Sequence, residues 1–114
     1  GASAVAEDQI REKEAERILK NLRSEDPVVT LEIEGKQVDS VSFAQKIEQM
    51  GVEGVSHIQF VIGGSLGLHE KVSKVSTWKL SFSRMTFPHQ LMRVILLEQI
   101  YRGYRIINGE PYHK

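Results

Sequence analysis

The sequence predicts an α/β fold: a mostly parallel sheet flanked by helices, in one domain spanning residues 1–114. Three observations carry this expectation. Strand-like and helix-like segments alternate along the chain, the order that builds layers around a parallel sheet. The strand segments are short and apolar, as suits strands covered on both faces by helices. The chain, 114 residues long and 40% hydrophobic, can bury about two-thirds of its unfolded surface, enough for a core without metal or disulfide. No internal repeat or low-complexity linker divides it.

The elements follow in order. Gly1-Ala2-Ser3 reads as an expression remnant and is given no structural weight. Residues 4–22 space Val5, Ile10, Ala15, Ile18, Leu19 and Leu22 among many charges, the pattern of an amphipathic helix with its acidic residues on a solvated face. Ser24-Glu25-Asp26-Pro27 breaks it, and Val28 to Ile33 reads as a strand that stops at Glu34-Gly35. A second helix starts at Asp39 or Ser40, with Val41, Phe43, Ala44 and Ile47 on its apolar face, and ends near Gly51. Ile58 to Ile62 is the next strand; it runs into Gly63-Gly64-Ser65-Leu66-Gly67 and a short helix over Glu70 to Val75. Trp78 to Phe82 alternates as a third strand, and Ser83 to Phe87 form a loop before Pro88, which suits a first helical turn. The last helix runs from there to about Gly103, with Arg105 to Ile107 as a short extended piece. Its apolar residues, among them Leu91, Val94, Leu97 and Tyr101, wrap beyond one stripe, so it needs cover on two sides. Either a second copy of the chain packs on the 88–103 helix as a two-fold dimer, or the helix lies central within one monomer.

The formal net charge of zero hides an asymmetry. Residues 1–53 hold 12 acidic and 7 basic side chains, whereas residues 84–114 hold only Glu98 and Glu110 against Arg84, Arg93, Arg102, Arg105 and Lys114. Arginine can contact phosphate through paired N–H groups, so an anionic partner at the C-terminal end is compatible with this distribution, as is a plain solvated rim. The absence of cysteine excludes a disulfide framework, a zinc-thiolate cluster and thiol chemistry. No apolar run approaches the roughly 18 residues of a membrane span, so a soluble, cytoplasmic protein without membrane contact is expected.

The sharpest local feature is Phe60 to Gly67, a strand running into three glycines and then a helix. Ligands collect outside the carboxyl ends of such strands, where glycine lets backbone approach them closely. The loop is a candidate ligand site or a plain tight turn. It lacks the Lys-Ser/Thr ending of a phosphate-binding loop, and its glycine spacing is not the dinucleotide one. His57, His69, His89 and His113 are too widely spaced for a zinc site, and no metal is expected. Ser65 and Ser83 lack the surroundings of a hydrolase nucleophile.

Taken together, Val28 to Lys36, Phe60 to Leu68, Leu80 to His89, Leu97 to Arg102 and the closing Glu110-Pro111-Tyr112-His113-Lys114 resemble the ribosomal RNA large-subunit methyltransferase H family of the SPOUT superfamily. The similarity runs in uninterrupted order from about residue 7 to the last residue. It implies an α/β domain with a C-terminal trefoil knot, a feature no pattern of residues would suggest. It also implies a homodimeric enzyme that transfers a methyl group from S-adenosylmethionine to N3 of a pseudouridine in large-subunit ribosomal RNA, with the ribosome as partner. By motif, cofactor contacts fall on Leu31, Gly63, Phe82, Ser83, Arg84, Met85, Thr86 and Phe87, with Leu31, Met85 and Phe87 against the adenine ring. Arg102, Tyr112 and His113 are implied for substrate positioning and proton handling; alternatively Tyr112 and His113 order the C-terminus. Arg84 and Arg105 are weaker candidates for phosphate contacts. Chains of that family usually open with a further strand, helix and strand, which nothing in residues 1–6 resembles, so an N-terminally incomplete family domain is expected. The competing expectation is a non-catalytic ribosome-binding or dimerisation module of the same fold.

Overall fold

The computed structural model describes residues 2–64 and 66–114; Gly1 and Ser65, and what the sequence suggests for them, lie outside the described residues. Its elements are α1 (Ala2–Asn21), β1 (Val28–Gln37), α2 (Ser40–Val52), β2 (Gln59–Ile62), α3 (Glu70–Ser73), β3 (Trp78–Ser81) and α4 (His89–Ile107). The three strands form a parallel sheet in the order β2-β1-β3. Helices cover both faces, as the short apolar strands require.

Side-chain alternation along β1 assigns the two faces. Val28 joins Ala15 of α1, Val61 of β2 and Val72 of α3 in one cluster. Val29 and Leu31 point the other way, into Phe43, Ile47 and Met50 of α2, Leu80 of β3 and Leu96 of α4. Phe43 is the hub of that layer, with its ring 6.4 Å from Phe60, 5.9 Å from Trp78 and 6.2 Å from Phe82. Burying such a side chain stabilises by about 1.5–3 kcal/mol, and its aromatic contacts fix where Phe82 leaves the sheet.

Four expectations need correction. The first helix begins at Ala2, and its Val5 and Ile10 face solvent, because its buried seam starts only at Ala15. Likewise Val41 of α2 is exposed while Phe43, Ala44, Ile47 and Met50 carry the buried face. β1 continues past Glu34-Gly35 to Gln37, with a register shift between Leu31 and Lys36. Gly35 allows this: a Cβ there would lie 2.8 Å from the Lys79 carbonyl carbon and oxygen, so only glycine lets β1 cross so close to β3.

The fourth correction concerns residues 105–107, which are helical. Gly103 does not end α4, because it packs against Ala44 and Phe43. The helix stops at Asn108, followed by Gly109 in the left-handed region (φ 68°). Within α4 only Leu96 and Gly103 are fully buried, whereas Leu91, Val94, Leu97, Tyr101 and Tyr104 are exposed. One apolar face of α4 thus stays open in the single chain. No helix among the described residues is long and apolar enough to cross a membrane.

Candidate functional site

A cleft of about 750 Å³ opens at the carboxyl ends of β2 and β3, beside the middle of β1. Leu31 lies level with Ile62 of β2 and Leu80 of β3, where both neighbours run out. Beyond that level the cleft walls come from the glycine loop after β2 and the 82–88 loop after β3. Leu31, Gly63, Phe82, Ser83, Met85, Thr86 and Phe87 all line it; Arg84 does not.

Backbone hydrogen bonds shape both loops. The Gly67 N–H donates to the Gly64 carbonyl at 3.0 Å, and Gly67 takes a φ of 81° that favours glycine. The loop folds so tightly that a Cβ on Gly63 would lie 2.9 Å from the backbone of Gly67 and Leu68. The Gly64 N–H donates to Oε1 of Glu14 on α1 at 3.2 Å. That donor is therefore already engaged by a carboxylate. In the second loop, Ser81 Oγ donates to the Ser83 carbonyl at 3.0 Å and the Met85 N–H donates to Ser83 Oγ at 2.9 Å. Ser83 thus acts as a turn former.

Among the described residues, the charged and titratable ones in the wall are Glu32, Glu34 and His89, with no lysine or arginine. Glu32 accepts from Thr30 Oγ1 at 2.6 Å and from Ser73 Oγ at 3.0 Å, and fully buried Thr30 also meets Ser76 Oγ at 2.7 Å. This network ties the middle of β1 to α3 and the turn after it.

Arg102, Tyr112 and His113 come together elsewhere. Arg102 donates to Glu98 Oε1 from Nε at 2.9 Å and Nη2 at 2.6 Å, and from Nη1 to His113 Nδ1 at 3.1 Å. Its guanidinium lies 4.7 Å from the centre of the Tyr112 ring, whose hydroxyl donates to Glu98 at 3.3 Å. Hydrogen bonding from Arg102 holds the Glu98 carboxyl below its ordinary range. None of the three lines the cleft. Arg102 lies nearly three turns past Met92, about 15 Å along the helix axis. Arg105 is paired with Glu110 and lies over Tyr101, so its charge is already engaged.

Two features were not legible in the sequence. Glu14 was placed on a solvated acidic face, yet it reaches a loop 50 positions away; no local pattern signals such a contact. Asp8, Glu12 and His69 also converge, with donor atoms within 4.8 Å of one another. His69 caps α3, its Nδ1 accepting the Lys71 N–H at 3.1 Å, which leaves the proton of the neutral ring on Nε2, 3.9 Å from Asp8. Lys71 Nζ lies 2.6 Å from Glu12. A proton and an ammonium group stand where a cation would, so the cluster braces α1 against α3.

The fold is an α/β domain with a cleft at the carboxyl ends of β2 and β3, whose lining among the described residues holds no lysine or arginine. A family model described as predicted SPOUT methyltransferase matches residues 2–113. A relative from Methanococcus maripaludis is 64% identical over 112 residues, covering 98% of this chain and 70% of that protein. Proteins named ribosomal RNA large subunit methyltransferase H are 59% identical in Bifidobacterium adolescentis and 57% identical in Clostridium tetani, each over 99% of this chain and 71% of the relative. The chain belongs to the SPOUT methyltransferases and, within them, to the family of ribosomal RNA large subunit methyltransferase H.

Proposed function

We propose that this chain is an S-adenosylmethionine-dependent methyltransferase that modifies N3 of a pseudouridine in large-subunit ribosomal RNA, acting on the ribosome in the cytoplasm. In this reading residues 1–114 form one SPOUT domain with a trefoil knot in its C-terminal part. The observation that carries the proposal is the convergence of Leu31, Gly63 and the 82–87 loop on one cleft without cations. Its volume suits a ligand of this size. Its acidic wall disfavours nucleoside polyphosphates and tolerates the positive sulfonium and ammonium groups of S-adenosylmethionine.

When bound, S-adenosylmethionine supplies an electrophilic methyl group. The chain's own residues position and shield. Leu31, Met85 and Phe87 offer apolar contact to the adenine, and loop backbone groups read its edge. The first turn of α4 has no side-chain cap at Pro88, so its N–H groups can receive the carboxylate of the ligand. At the substrate, Arg102 would stabilise the negative charge that develops on the imide as its N3 proton passes to solvent water, leaving N3 free to take up the methyl group. His113, engaged by Arg102 at Nδ1, presents an Nε2–H to a base oxygen, and Tyr112 stacks the tail onto Arg102.

The distance between Arg102 and the cleft favours a homodimer. The exposed stripe Leu91, Val94, Leu97, Tyr101 and Tyr104 is an apolar face for a second copy. Such packing sets the tail of one protomer against the cleft of the other. The same distance is what favours the second reading, a non-catalytic ribosome-binding or dimerisation module.

Calorimetric titration with S-adenosylmethionine, followed by methyl incorporation into ribosomes lacking the modification, separates the two. Binding and incorporation are expected. A flat titration would leave the module.

A further inference from the structure

Resting on the reading of the cleft as a cofactor site, we infer that Glu14 of α1 is a positioning residue for S-adenosylmethionine binding, holding the glycine loop in its binding shape through the Gly64 N–H. Glu14 is not itself part of the cleft wall. Its Oε1 accepts the Gly64 N–H at 3.2 Å in a half-buried setting, a charge-assisted bond between a helix and a loop far apart in sequence. The contact is close: a Cβ on Gly64 would lie 2.8 Å from Glu14 Oε2, so the carboxylate would have to move aside.

The loop needs such a brace. Gly63, Gly64 and Gly67 give the free backbone more conformational freedom than other residues would, and that freedom must be lost before the cleft wall is formed. Among the described residues, Glu14 is the only side chain hydrogen-bonded to residues 63, 64 and 66–68; the Gly67 to Gly64 bond and the packing of Leu68 against the Ala15, Val28, Val61 and Val72 cluster add the rest. Glu14 can serve because its own helix is fixed beside it. Ala15 is buried against Val28, Val61 and Val72, and the Glu12–Lys71 ion pair ties α1 to α3. Gly63, at the start of the loop, lines the cleft, so an ordered Gly64 transmits directly to the cofactor wall.

The experiment compares wild type with Glu14→Ala, Glu14→Asp and Glu14→Gln, measuring S-adenosylmethionine binding by calorimetry and methyl transfer to ribosomes lacking the modification. Thermal melting checks that each variant folds. Glu14→Ala should weaken binding and raise KM for S-adenosylmethionine about 10-fold, the loss expected for a hydrogen bond to a charged group, with kcat at saturating cofactor unchanged. Glu14→Asp keeps the charge but is one methylene short, and should behave like alanine. Glu14→Gln, whose amide oxygen still accepts the Gly64 N–H, should recover most of the affinity. Wild-type affinity in Glu14→Ala, a fall in kcat with KM unchanged, or a glutamine variant as weak as alanine would each overturn the assignment. Wild type failing to bind at all would instead overturn the reading of the cleft.

Discussion

Arg102 donates from Nη1 to Nδ1 of His113 over 3.1 Å. A guanidinium has no acceptor, so Nδ1 must accept, and neutral His113 carries its proton on Nε2. In the proposed mechanism Nε2 would therefore donate to the substrate and not take the N3 proton. His113→Gln places an amide nitrogen near the Nε2 position and should stay within about 10-fold of wild type in single-turnover methyl transfer. His113→Asn replaces only the Nδ1 side and should lose about 100-fold. Cofactor binding should be unchanged in both, and equal losses would point to His113 as the base.

The same cluster has a pH signature. Hydrogen bonding and charge from Arg102, with smaller help from the Tyr112 hydroxyl, outweigh burial and hold Glu98 below its ordinary value of 4.5. A carboxyl depressed in the folded state contributes stability above its unfolded value and loses it as pH falls through the folded value. The tail should therefore stay docked at neutral pH and release only below 4.5. Tyr112, with its ring 5.0 Å from Tyr101, reports this through its ring-proton shifts in NMR. Arg102→Met should move the midpoint upward; a wild-type midpoint at or above the ordinary value would contradict the account.

The parts legible in the sequence are those set by local pattern. Val28 to Ile33 read as strand because β-branched and apolar side chains dominate it, and Asp39 or Ser40 marks the start of α2, where Asp39 is the cap, accepting the Ser42 N–H at 2.7 Å. The strand-to-glycine step at Ile62-Gly63 marked the cleft, since glycine after a buried strand allows close approach. What stayed hidden depends on partners distant in sequence. Gly35 looked like a strand end because its need for β3 backbone beside it leaves no local trace. Gly103 looks like a helix end and Arg105 to Ile107 like a short extended piece, but packing of α4 on α2 overrides that weak preference. The gathering of Leu31, Gly63 and Phe82 in one cleft, with Arg102 apart from it, emerges only from the fold.

Two glycines should respond oppositely to the same change. At Gly35 a methyl group meets Lys79 backbone at 2.8 Å, and backbone cannot step aside as a side chain can. Gly35→Ala should cost about 1–3 kcal/mol and lower Tm by several degrees. At Gly103 the nearest atoms, in Ala44 and Phe43, lie 3.7–3.8 Å away, an ordinary contact. Gly103→Ala should raise stability by about 0.5–1 kcal/mol through the helix propensity of alanine. Denaturant unfolding of the two variants checks both signs, and a destabilised Gly103→Ala would mean that α2 and α4 pack more tightly than these distances allow.

The open face of α4 makes the strongest demand on assembly. Val94 is 62% exposed and Leu97 56% exposed, both on the helix that also carries Arg102. Side chains three or four positions apart share a helix face, so Leu91, Val94, Leu97, Tyr101 and Tyr104 present one stripe. A charge at its middle must be desolvated if two copies meet there. Leu97→Glu should therefore shift the protein from dimer to monomer in sedimentation velocity at micromolar concentration, with little change in monomer stability because the site is solvated in the single chain. If one protomer's tail serves the other's cleft, the variant should also lose methyl transfer while keeping part of its cofactor binding. A variant that remains dimeric would place the interface elsewhere, and a monomer with full activity would show that Arg102 and His113 reach the cleft of their own chain.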